Sequence, residues 1–105
     1  MRTFPKALAT LRKIVCERGE RLRKLAFADL QQLTDEPVEH ITVESRATKI
    51  ATIVQMVPND GLRVVIQGFM KARFIPGEHV ALDGFYKYAD GTMSAMPNEE
   101  FYEFG

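Results

Sequence analysis

Cysteine is scarce in this chain, which contains one, Cys16, among 105 residues. A single cysteine excludes a disulfide within the chain, and no cysteine–histidine cluster has the spacing of a zinc site. A domain of this length buries enough surface to fold without either kind of cross-link. We therefore expect one domain over 1–105 with one hydrophobic core, located in a reducing compartment, the cytoplasm.

Long apolar runs and reactive motifs are also missing. The apolar stretches span only a few residues, against roughly 18 for a membrane-spanning helix. Neither a P-loop nor a GxGxxG motif occurs, and Ser45 and Ser94 do not lie in a GxSxG setting. Cys16 falls beside the apolar stripe of a predicted helix, a position typical of a half-buried structural thiol. The sequence therefore favours a non-enzymatic protein without membrane span, cofactor or metal.

The net charge is zero, but the charges are segregated along the chain. Residues 1–33 hold eight Lys and Arg against three acids, and residues 34–105 hold six against eleven, giving +5 and −5. Such asymmetry is neutralised either inside the fold, where helix meets sheet, or between unlike surfaces of two molecules. We favour the internal arrangement and keep the second as the alternative.

Apolar side chains recur at helical spacing over the first third of the chain: Phe4, Leu8, Leu11, Val15, Leu22, Leu25, Ala26 and Leu33. An unbroken helix over 4–33 would be about 45 Å long, which exceeds the width of a compact domain of this size. Gly19 follows a basic turn, a common helix end, so we predict two helices that meet there. The alternative is one helix whose excess length packs on a second copy.

From residue 37 onward the sequence pattern has a period of two. A strand is predicted over 40–46, followed by β-branched strands over 49–57 and 62–72 that are joined by a turn at 58–61. Pro76 and Gly77 form the next turn before a strand that carries Val80 to Tyr88, and Asp90 with Gly91 precede a last strand over 92–96. Short turns between all five strands are typical of an antiparallel meander.

These elements predict an α+β fold, in which a helix or helix pair over about 4–33 packs on a strongly bent antiparallel meander of about five strands. Gly68 and Gly84 lie inside strands, where glycine often marks a bulge or bend. A strongly bent sheet closed by helices forms a cup. The cup is the expected place for a ligand, if the protein binds one.

Seven polar or aromatic side chains of the strands are the candidates to line this cup: His40, Glu44, Arg46, His79, Asp83, Tyr86 and Tyr88. Residues four apart in a strand are about 13 Å apart, so neither His40 with Glu44 nor His79 with Asp83 can share a metal. A joint site of His40 and His79 requires that their strands be neighbours. We assign no catalytic residue.

The last nine residues combine three aromatic with three acidic side chains, an unusual end for a chain that stands alone. Together with the helical stripe they give six interface candidates: Leu11, Val15, Leu22, Phe101, Tyr102 and Phe104. We therefore predict a non-enzymatic interaction module that self-associates as a homodimer. The alternative is a small-molecule binder or enzyme that uses the cup.

Nucleic-acid binding is the third hypothesis, and the helix motivates it through six basic residues: Lys6, Arg12, Lys13, Arg21, Arg23 and Lys24. Phosphate binding needs an uninterrupted positive potential. Glu17 and Glu20 interrupt this face, and the isoelectric point of about 6.7 is not that of a basic domain. Nucleic acid is therefore an unlikely partner, bound weakly if at all.

Overall fold

The computed structural model describes residues 6–33, 38–71 and 77–101, with the side chains of Asn98 and Phe101 excepted. The elements, in chain order, are α1 (Lys6–Arg23), α2 (Phe27–Gln31), β1 (Glu39–Val43), β2 (Arg46–Val57), β3 (Gly61–Lys71), β4 (Glu78–Tyr88), β5 (Met93–Ala95) and α3 (Asn98–Phe101). The predicted α+β fold, with an N-terminal helix packed on an antiparallel sheet, is confirmed. Within the described residues no helix has the length and apolar character needed to cross a bilayer.

The first helix runs without interruption through Gly19, so the predicted break at that residue is wrong. The helix ends at Arg23 instead, and α2 begins at Phe27 after a short turn. Gly19 is buried where α1 meets β4, and a β-carbon built there would lie 1.9 Å from Oδ2 of Asp83. Glycine at this position therefore permits close helix–sheet contact and does not end the helix.

The sheet is a five-stranded meander in which each strand pairs antiparallel with the next, in the order β1-β2-β3-β4-β5. The turn predicted over 58–61 is present over 58–60, with Gly61 already in β3, and the turn predicted at Asp90 and Gly91 is also present. Pro76, in the turn predicted before β4, lies outside the described residues. The first predicted strand, over 40–46, is too long. It ends at Val43, because Glu44 and Ser45 both have positive φ and form the two-residue turn that joins β1 to β2.

The inner face of the sheet, which we define as the face covered by α1, carries the core. Side chains at every second position of β3 point to it, and Leu62, Val64, Ile66 and Met70 are fully buried. The apolar stripe of α1 covers them.

This packing corrects the interface prediction for three residues. Leu11, Val15 and Leu22 are buried against the sheet of their own chain, so they are not exposed for a second copy. The other three candidates, Tyr102, Phe104 and the side chain of Phe101, lie outside the described residues.

Neither glycine inside a strand marks a bulge, as the sequence had suggested. The pairing of β3 with β2 and with β4 proceeds without a skipped residue. A β-carbon at Gly68 would lie 2.8 Å from side-chain atoms of Leu11 and Val15, and one at Gly84 would lie 2.9 Å from the sulfur of Met96. Both positions are therefore glycine because another element packs directly on the strand.

Candidate functional site

The seven candidate ligand residues do not converge. Arg46, His79 and Asp83 share the inner face, whereas His40, Tyr86 and Tyr88 lie on the opposite, outer face; Glu44 sits in the turn between β1 and β2. The predicted cup lined by these residues is therefore absent from the described part of the chain.

His40 and His79 cannot form a common site. They lie on β1 and β4, which are separated by two strands, and they point to opposite faces of the sheet. Neighbouring strands are about 4.8 Å apart, so β1 and β4 are roughly 14 Å apart. Among the described residues no cluster of three or more His, Cys, Asp or Glu side chains is placed to hold a metal ion.

Asp83 has a structural role at the end of α1. Arg23 donates from Nη1 to Oδ2 at 2.8 Å and from Nη2 to Oδ1 at 3.0 Å, and the backbone N–H of Gly84 also donates to Oδ1. The hydrogen bond to Asp83 raises the pKa of Arg23. The guanidinium also lies 4.8 Å from the centre of the Phe85 ring. The Asp83 carboxylate is therefore fully paired, although it lies on the inner face of the sheet.

Lys87 binds backbone carbonyl groups at the C-terminal end of α1. Its side chain is 7% exposed, and Nζ donates to the carbonyl oxygens of Arg23 at 3.0 Å and of Leu25 at 2.6 Å. The last carbonyls of a helix lack partners within the helix, and a cation near them also interacts favourably with the helix dipole. The buried amine therefore caps the C-terminal end of α1.

Tyr86 connects α3 to the outer face of the sheet through a hydrogen bond. Its hydroxyl donates to Oε1 of Glu100, which also accepts from Nη1 of Arg63 at 3.2 Å. Arg63 in turn donates from Nη2 to Gln55 at 2.6 Å. Burial, and then the hydrogen bond with Glu100, raise the pKa of Tyr86. These hydrogen bonds connect α3 to the outer faces of β2, β3 and β4.

The edge of β2 that is turned away from β3 is only partly paired among the described residues. β1 pairs with residues 46–50 of β2, and no strand of the described chain pairs with the outer side of residues 51–57. We call this segment the β2 edge. Its sequence, ATIVQMV, contains no charged residue and four β-branched ones, and the Met56 side chain is 67% exposed. Its backbone groups therefore form a template for another strand.

The described residues also form a groove of about 580 Å³ between α1, the end of α2 and the start of β1. Four apolar residues, Leu22, Leu25, Leu33 and Val38, and three charged ones, Arg18, Arg21 and Glu39, line it. Arg18 pairs with Glu39, and that hydrogen bond lowers the pKa of the Glu39 carboxyl. We call it the Arg18 groove.

Among the described residues, β5 pairs only with Phe85, Tyr86 and Lys87, so no described strand pairs with this edge of β4 over 78–84. Beside it lies a smaller groove of about 330 Å³, whose lining includes Arg12 and Cys16. The Cys16 side chain is exposed, so the prediction of a half-buried thiol is wrong. The segment 78–84 of β4 carries Glu78, His79 and Asp83. Charged side chains on an edge oppose pairing with another strand.

Comparison of the chain with protein-family models, with curated proteins and with solved structures found no match. Function is therefore inferred from the β2 edge and the Arg18 groove.

No function was predicted from the sequence for the β2 edge or for the Arg18 groove. The β2 edge has a signal in the sequence, because no charged residue occurs between Lys49 and Asp60. The groove has no such signal, since its lining comes from three elements that only the fold brings together.

Proposed function

We propose that this protein is a non-enzymatic interaction module that forms a homodimer through the β2 edge. The observation that carries the proposal is the seven-residue uncharged segment 51–57, whose outer side has no partner strand in the described chain. Soluble domains usually protect such an edge with charges, prolines, bulges or a covering element. A second copy would provide the missing cover.

Pairing of two β2 edges is self-complementary. In an antiparallel pair centred on Val54, Ile53 of each copy lies opposite Gln55 of the other, and Thr52 lies opposite Met56. No like charges meet across this pair, and the β-branched and thioether side chains pack at the spacing typical of cross-strand pairs. The two five-stranded sheets would join into one ten-stranded sheet.

This surface replaces the helix as the proposed site of self-association. The apolar stripe of α1 is buried in the core of the monomer, whereas Met56 is the most exposed large apolar residue among those described. The single cysteine, which excludes an internal disulfide, supports a cytoplasmic setting as part of the proposal.

The test is the solution mass of the wild-type protein and of Met56→Lys, measured by light scattering over a concentration series at two salt levels. We expect a wild-type dimer that persists in high salt, because backbone hydrogen bonds and apolar contacts are little screened. Met56→Lys places two like charges in the pair and should give a monomer with unchanged circular dichroism.

Met93→Lys is the matched control, because Met93 is also about half exposed but lies on β5 at the far side of the sheet. It should remain a dimer. A monomeric wild type at high micromolar concentration, or a dimeric Met56→Lys, would overturn the proposal. If Val80→Lys were the only variant that dissociated into monomers, the interface would lie at the β4 edge and the proposal would be wrong.

A further inference from the structure

The Arg18 groove combines an apolar floor with a positive rim. Leu25 and Leu33 are half-buried and Val38 is 47% exposed, so apolar surface faces solvent in a concave place. Its volume of about 580 Å³ lies within the range of roughly 300–1,000 Å³ that is typical of small-molecule sites. The groove is therefore large enough for a flexible ligand with an alkyl chain.

The charges of the groove favour an anion. Among the described residues that line the groove, two guanidinium groups, Arg18 and Arg21, lie near one carboxylate, Glu39. Arg18 uses Nη2 for Glu39, while its Nε is closed to solvent and has no hydrogen-bond acceptor among the described residues. A buried N–H without an acceptor is unfavourable, so a ligand oxygen that reached the Arg18 guanidinium in place of Glu39 could supply the missing acceptor.

We propose that the Arg18 groove binds a small amphipathic carboxylate, with its alkyl chain on Leu22, Leu25, Leu33 and Val38 and its carboxylate between Arg18 and Arg21. Guanidinium groups match carboxylate oxygens in geometry as well as in charge. The ligand carboxylate would supply a second negative charge beside the two guanidinium groups of the described lining. This binding is independent of the β2 edge and does not require the dimer.

Glu39 competes with the ligand for Arg18. The ion pair holds the guanidinium at the rim, and a ligand carboxylate has to displace the Glu39 side chain to reach it. Glu39 is half exposed, so its release into water costs little. The arrangement therefore predicts that removal of the Glu39 charge strengthens ligand binding.

The experiment is calorimetric titration of the wild-type protein with octanoate and with octanol, both below micelle-forming concentrations. The two probes share the alkyl chain and differ in charge. We expect octanoate to bind roughly tenfold more tightly than octanol, the effect of one charge-assisted hydrogen bond. Methyl resonances of Leu25, Leu33 and Val38 should shift during the titration. Equal affinity for the two probes, or shifts confined to other methyl groups, would overturn the proposal.

Three variants test the role of the rim. Arg21→Gln should weaken octanoate binding several-fold and leave octanol unchanged, and Glu39→Gln should strengthen octanoate binding roughly two- to fivefold. Lys24→Gln is the control, because it removes the same charge from the exposed turn after α1, outside the groove. A loss with Lys24→Gln equal to that with Arg21→Gln would show a general charge effect and contradict the proposal. Repeating the titration on Met56→Lys separates ligand binding from self-association.

Discussion

Arg23 and Asp83 form a two-point ion pair, with N–O distances of 2.8 and 3.0 Å, that joins the last turn of α1 to the middle of β4. Their exposed side-chain fractions are below one third, so water screens the pair only in part. Gly19 lies directly beside this pair. The position of the helix on the sheet therefore depends on a residue without a side chain.

Gly19→Ala should destabilise the protein, although the same change inside an ordinary helix stabilises it by about 1 kcal/mol. The new β-carbon would overlap Asp83 and disturb its pairing with Arg23. We expect a loss of about 1–3 kcal/mol in the free energy of unfolding, measured by urea denaturation.

The Asp83→Ala background provides the control for this prediction. With the carboxylate removed, the remaining close atom is Nη1 of Arg23 at 2.8 Å, which belongs to a flexible side chain that no longer has its partner. Gly19→Ala should then become neutral or stabilising. If the substitution has the same effect in both backgrounds, the two residues are not coupled and the explanation for Gly19 is wrong.

Lys87→Met should also reduce stability. The substitution keeps most of the apolar stem but removes the donor from the carbonyls of Arg23 and Leu25, at a cost of about 1–3 kcal/mol. Lys71→Met, at an exposed end of β3, should change the free energy of unfolding by less than about 0.5 kcal/mol. Equal effects of the two substitutions would contradict the capping role.

Tyr86 should make stability fall at alkaline pH. Its pKa is higher in the folded than in the unfolded chain, so the unfolded state loses its proton first. The contribution is complete below the unfolded pKa of about 10 and is lost as pH rises through the folded value. Chemical denaturation at pH 8 to 11 should show a shallower decline for Tyr86→Phe than for wild type. Parallel declines would mean that the hydroxyl pairing with Glu100 contributes nothing.

The sequence predicted those parts of the fold that depend on local chemistry. The β-branched runs of β2 and β3 and the Asp90–Gly91 turn specify strands and a hairpin without reference to the rest of the chain. The end of β1 was missed because Glu44 and Ser45 adopt positive φ without being glycine or asparagine. Gly19 was misinterpreted because its role comes from a contact with β4.

The site was less predictable than the fold. Which face Asp83 or His40 occupies depends on strand register and on where α1 lies, and neither is encoded by spacing alone. The Arg18 groove requires α1, α2 and β1 to be placed together. The β2 edge, by contrast, follows from the absence of charge over 50–59 once the short length of β1 is known.

Hydrogen exchange of the backbone amides of 51–57, compared between dilute and concentrated wild-type protein, tests the central claim most directly. We expect the amides of 51–57 that point away from β3 to become protected from exchange as the protein concentration rises. The amides of 78–84 on β4 should not change. Protection that is independent of concentration, or that increases on β4 instead, would contradict the claim.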